Sequence, residues 1–137
     1  MIVMKEKRLK KTILVADDEP QVLDFLERKL AAEGFEVLKA LDGREAFEKA
    51  KTHSPDLLLL DILMPEMDGS DVAKKLQFYP SLASIPIIFL SGIIAEEKKD
   101  PKISEVNIGG QNFIAIAKPF PFELLLQEIQ RIFSRRF

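Results

Sequence analysis

Short, almost wholly apolar runs alternate with longer amphipathic stretches along this chain, and that alternation admits few folds. Thr12-Ile13-Leu14-Val15-Ala16 reads as a buried strand. Gln21 to Ala32 then places Val22, Phe25, Leu26 and Leu30 on one helical face, and Gly34 stops the helix. Glu36 to Ala40 is a short strand nearer an edge, because charged residues flank Val37 and Leu38. Asp42-Gly43 opens a helix over Arg44 to Lys51. Asp56 to Asp61 is the most apolar strand and belongs at the sheet centre. Ser70 to Phe78 is helical, Pro80 ends it, and Pro86 opens the strand Ile87-Ile88-Phe89-Leu90. Glu96 to Gly110 carries a charge run, Asp100-Pro101 and Gly109-Gly110 but no sustained helical stripe, so a short helix or an ordered loop is expected there. Phe113 to Ala117 is a strand that includes the small residues Ala115 and Ala117. Pro121 to Phe133 closes the chain with Phe122, Leu125, Leu126, Ile129, Ile132 and Phe133 on one helical face.

Five strands and four clear helices in this order predict an α/β class fold. It is a doubly wound, flavodoxin-like (βα)5 three-layer sandwich on a parallel five-stranded sheet of order 2-1-3-4-5, with an atypical fourth-helix region. At 137 residues there is room for one such unit. Residues 1–11 carry five basic groups and one acidic, leaving 15 basic and 21 acidic groups for the rest. The expected division is thus a basic lead-in over residues 1–10 and one domain over 11–137. A body of net negative charge is a poor partner for nucleic acid, since neutralising phosphates needs a basic face. The absence of cysteine excludes a disulfide scaffold and a thiol nucleophile, and fits a reducing, cytoplasmic setting. The single histidine, His53, excludes poly-histidine metal sites. The richest apolar run, Leu57 to Met64, is interrupted by Asp61 and is far too short to span a membrane.

The polar residues that end the strands carry the chemistry. Asp17 and Asp18 follow the first strand, Asp61 ends the third, Ser91 the fourth and Lys118 the fifth. Parallel strands bring these ends to one edge, where open α/β sheets bind ligands, and in the order 2-1-3-4-5 strands one and three are neighbours. Asp17, Asp18 and Asp61 would then converge. Taken singly, an aspartate after a strand is ordinarily a turn or cap residue. Three together repel one another unless a cation intervenes, and an all-oxygen donor set suits Mg²⁺, with Mn²⁺ as substitute. Lys118 and the Ser91 hydroxyl add a cation and a donor for the same anion. The set fits phosphoryl transfer onto a carboxylate, with Asp61 as nucleophile.

The chain resembles the receiver domain of two-component response regulators. The motifs that carry the resemblance are Ile13-Leu14-Val15-Ala16-Asp17-Asp18-Glu19-Pro20, then Asp61-Ile62-Leu63-Met64-Pro65-Glu66-Met67-Asp68-Gly69, Leu90-Ser91-Gly92 and Lys118-Pro119-Phe120. The resemblance implies that Asp61 is the phospho-acceptor and that Asp18 binds Mg²⁺ directly, with Asp17 acting mostly through water. It implies the Leu63 backbone carbonyl as a further ligand, Lys118 paired with the acyl phosphate, and Ser91 as the switch hydroxyl. Gly92 would keep the pocket open, and the Lys118-Pro119 peptide is often cis in the family. The implied partners are a sensor histidine kinase or histidine phosphotransfer protein and a downstream protein. Neither direct nucleic-acid binding nor a membrane is implied, and a phosphorylation-dependent homodimer is compatible. The only implied catalysis is self-phosphorylation and self-dephosphorylation, not turnover as an enzyme.

Two departures stand out. Ala115 occupies the place, three residues before the lysine, where the family usually has an aromatic; Phe113 lies two residues earlier, on the same strand face. Ser91 and Lys118 are also further apart than usual, the excess lying in Glu96 to Gly110, and Ile93-Ile94 beside it is a candidate partner-facing patch. These features motivate the alternative of a degenerate receiver, a phosphorylation-independent interaction module. After Phe133 only four residues remain, so no output domain is expected within this chain.

Overall fold

The computed structural model describes residues 10–92 and 102–134. Residues 1–9 of the expected lead-in, Ile93-Ile94 and the first part of the Glu96 to Gly110 segment therefore lie outside the described residues. The elements in chain order are β1 (Thr12–Ala16), α1 (Pro20–Ala32), β2 (Glu36–Ala40), α2 (Gly43–His53), β3 (Leu57–Asp61), α3 (Gly69–Gln77), a one-turn α4 (Pro80–Ala83), β4 (Ile87–Ser91), β5 (Ile103–Ile108), β6 (Gln111–Ala117) and α5 (Phe122–Ser134).

Capping residues written in the sequence start the helices. Asp42 accepts from the Glu45 N–H at 2.8 Å, while Glu45 reaches back to the Leu41 N–H at 2.8 Å. Asp68 and Asp71 close a reciprocal box at the head of α3. Pro20 and Pro80 occupy first-turn positions, where a missing N–H costs nothing. Pro80 thus does more than end α3: it begins a further helical turn.

The sheet order is β2-β1-β3-β4-β6-β5. Its first five members are mutually parallel, so the expected order 2-1-3-4-5 holds with β6 in fifth place. Among the described residues, however, the expected five strands become six. Residues 103–108, read as helix or loop, form β5, antiparallel to β6. Two properties of the segment explain this. Ile103 to Ile108 alternates in the two-residue period of a strand, with Val106 and Ile108 facing one core and Ile103 the other. Gly109-Gly110, both with positive φ (62° and 85°), forms a two-residue hairpin turn that suits twisted antiparallel strands. A chain leaving β4 at the carboxyl edge needs a crossover to continue parallel, but none to descend antiparallel and return.

Apolar cores fill both faces. Leu14, Leu58, Leu60 and Phe89 pack beneath α2 and α3 with Phe113, Ala115 and Ile108. Ile13, Val15, Leu57, Leu59, Ile88 and Ile116 pack beneath α1 and α5. Burial on both faces is why the parallel strands read as continuous apolar runs.

Candidate functional site

The carboxyl edge collects the residues that the spacing singled out. Asp17 follows β1 and is fully buried, Asp61 is the last residue of β3 and is 8% exposed, and Asp18 faces solvent. One carboxylate oxygen from each lies within 4.8 Å of those of the other two. The Lys118 ammonium, carried just past β6, stands 2.7 Å from Asp17 Oδ2 and 3.3 Å from Asp61 Oδ2. Backbone donors fix the outer oxygens: the Glu19 N–H on Asp17 Oδ1 at 3.0 Å, and the Leu63 N–H on Asp61 Oδ1 at 3.3 Å.

Three carboxylates against one ammonium leave an excess of negative charge. Burial pushes the Asp61 carboxyl above the usual carboxylate range; Lys118 offsets part of this and the charge of Asp17 adds to it. Burial disfavours the Lys118 ammonium as well. The hydrogen bond to Asp17 and the charges of both aspartates outweigh that and raise its pKa. An edge with converging oxygens and more negative charge than its lysine can match fits a hard divalent cation.

The other expected residues lie around this centre. Ser91 ends β4, is buried, and accepts the Lys118 N–H on its backbone oxygen at 2.9 Å. Gly92 follows on the surface, with room around its Cα for a side chain. Leu63 turns its side chain to solvent. The Lys118-Pro119 peptide is cis. Phe113 and Ala115 share one face of β6, as expected, and both are buried. The Phe113 ring meets Phe89 edge-on at 5.5 Å.

Two contributors were not recognised in the sequence. Gly69 sits against the Asp61 carbonyl so closely that a Cβ would collide with it, and its N–H bonds Ile62 O at 2.8 Å. The glycine closing the Asp61 motif was therefore a visible signal for close approach of α3 to β3. Lys102 donates from Nζ to Pro119 O at 2.8 Å. No sequence pattern marks that contact, which depends on the fold of β5.

The sequence model of the response regulator receiver domain matches residues 13–130. The chain belongs to this receiver family. Response regulator GtcR of Aneurinibacillus migulanus is 35% identical to it over 130 residues, which is 94% of this receiver and 50% of that protein. The alkaline phosphatase synthesis transcriptional regulatory protein PhoP of Bacillus subtilis is 35% identical over 112 residues, 82% of this receiver and 44% of its own length. The receiver thus spans about half the length of these curated relatives. Among solved structures, the chemotaxis protein CheY4 of Vibrio cholerae superposes with a TM-score of 0.74 at 30% identity, covering 89% of this chain and 98% of that one. Response regulator TrrA of Thermotoga maritima, solved in complex with Mg²⁺–BeF, gives a TM-score of 0.71 at 30% identity, covering 88% and 97%. Receivers of this family are phosphorylation-controlled signalling modules of two-component systems rather than enzymes in general, and they work with histidine kinases or phosphotransfer proteins and downstream effectors. Among the described residues no helix is long and apolar enough to cross a membrane.

Proposed function

We propose that this receiver accepts a phosphoryl group on Asp61 from the phosphohistidine of a sensor kinase or histidine phosphotransfer protein, and that the change alters binding of a downstream protein. An Asp61 carboxylate oxygen attacks phosphorus, the N–P bond breaks, and the imidazole leaves with its electron pair and takes up a proton. The single observation that supports this best is the triangle of Asp17, Asp61 and Lys118, in which one ammonium bridges two nearly buried carboxylates. Lys118 is placed to meet the charge of the incoming phosphoryl oxygens, and the Ser91 hydroxyl is the donor proposed to follow the phosphoryl group inward. Asp17, Asp18 and Asp61, with the Leu63 carbonyl, are the groups that would hold Mg²⁺, or Mn²⁺ in its place. When bound, that ion supplies positive charge against the phosphoryl oxygens.

The same reading takes residues 11–137 as the receiver and residues 1–10 as a basic lead-in, in a cytoplasmic protein. A phosphorylation-dependent homodimer is compatible with it. A receiver kept only as a phosphorylation-independent interaction module is less well supported, because it would need neither the buried acids nor their bridging lysine.

Intact mass after incubation with acetyl phosphate and Mg²⁺, beside Asp61→Asn and EDTA controls, tests the proposal. The expected result is a gain of one phosphoryl group, lost in both controls. A gain that survives Asp61→Asn moves the acceptor elsewhere, and no gain in the unaltered protein favours the interaction module.

A further inference from the structure

β5 turns the lysine-bearing strand from an edge strand into an interior one. Lys118 is consequently held from two sides. On the β4 side its N–H donates to Ser91 O at 2.9 Å. On the β5 side a single residue, Lys102, brackets it: Lys102 O accepts the Ala117 N–H at 3.0 Å, and Lys102 Nζ donates to Pro119 O at 2.8 Å. The residues immediately before and after Lys118 are thus both fastened to Lys102.

We propose that Lys102 is a positioning residue for the phosphoryl site, pinning the segment that carries Lys118 so that its ammonium stays within reach of both Asp17 and Asp61. The inference rests on the reading of Asp61 as acceptor. Magnitudes decide what the pin does. The Lys102 side-chain bond faces solvent, where such a bond contributes little to stability. A misplacement of about 1 Å in a charged group at a reacting centre, by contrast, costs up to about 100-fold in rate. The effect of losing the pin therefore falls on chemistry and not on folding.

Lys102→Met keeps the side-chain stem and removes the donor, while Lys102→Arg keeps a donor. Three quantities are compared across these and the unaltered protein: Tm, the rate of phosphorylation by acetyl phosphate against its concentration, and amide hydrogen exchange at Ala117 and Lys118. The expected result for Lys102→Met is a maximal rate roughly three- to ten-fold lower at similar half-saturation, faster exchange at both amides and a Tm close to the unaltered value, with Lys102→Arg restoring rate and protection. A Lys102→Met protein with unchanged rate, or a rate loss that Arg fails to restore, overturns the inference. Should the unaltered protein take no phosphoryl group, the reading of Asp61 falls by itself; exchange then decides the positioning claim, and unchanged protection in Lys102→Met overturns it.

Discussion

Two buried carboxylates, on Asp61 and Glu128, show how the same ionisable group sits in two different settings. Asp61 is held with its pKa raised, so its ionisation in the folded chain costs free energy that the unfolded chain does not spend. A raised pKa contributes stability below the ordinary value of 3.8 that is lost as pH rises through the folded value. Asp61→Asn is therefore expected to raise Tm at pH 7 in EDTA, with the gain shrinking as pH falls through the raised folded value and gone below 3.8; thermal scans across pH check this. Glu128 on α5 has no such task. It is 2% exposed, its Oε2 accepts from Arg131 at 2.7 Å, and its buried Oε1 has no hydrogen-bond partner. Because Arg131 is itself mostly exposed, removing the acid returns that cation to water and strands no buried charge. Glu128→Leu should stabilise the protein by about 1–3 kcal/mol in urea denaturation.

The β5–β6 hairpin is the element that most distinguishes this receiver from its expected pattern. Its turn depends on two glycines in the left-handed region, and Gly110 has nothing within 4 Å of where a Cβ would stand. The strain of a side chain there would be conformational alone. Gly110→Ala should cost about 1–2 kcal/mol, read from the shift in urea midpoint. The hairpin's far end is tied to α3, where Gln77 Nε2 donates to Ile108 O at 3.3 Å and to Gln111 Oε1 at 3.3 Å. Gly109-Gly110 was visible in the sequence, yet the same pair reads as a helix breaker or as a hairpin turn. Local pattern does not decide between them. What decides is whether a neighbouring strand edge exists to pair with, and that edge is β6, reached only after the turn. The outer strand still meets solvent, with Glu105 and Asn107 exposed along it, which suits an edge that discourages further pairing.

At the scale of the molecule, two ends of the sheet do different work. The amino edge is closed by tight pairings such as the Thr12 N–H on Asp56 Oδ2 at 2.8 Å, while the carboxyl edge gathers charge that the fold itself does not balance. A protein built this way gains stability from a ligand that binds only the folded form. Mg²⁺ at 100 times its dissociation constant should stabilise the folded chain by about 2.7 kcal/mol. The Tm should rise with Mg²⁺ in the unaltered protein and much less in Asp18→Asn, a difference that scanning fluorimetry resolves. The apolar runs, the caps Asp42 and Asp68, and the polar residues ending the strands are local properties, so the parallel core and its acidic edge were determined by the sequence alone. Contacts between segments distant along the chain were not. That β5 pairs with β6 and that Lys102 reaches Pro119 each depend on where the sheet places a second element, and only the tertiary structure decided them.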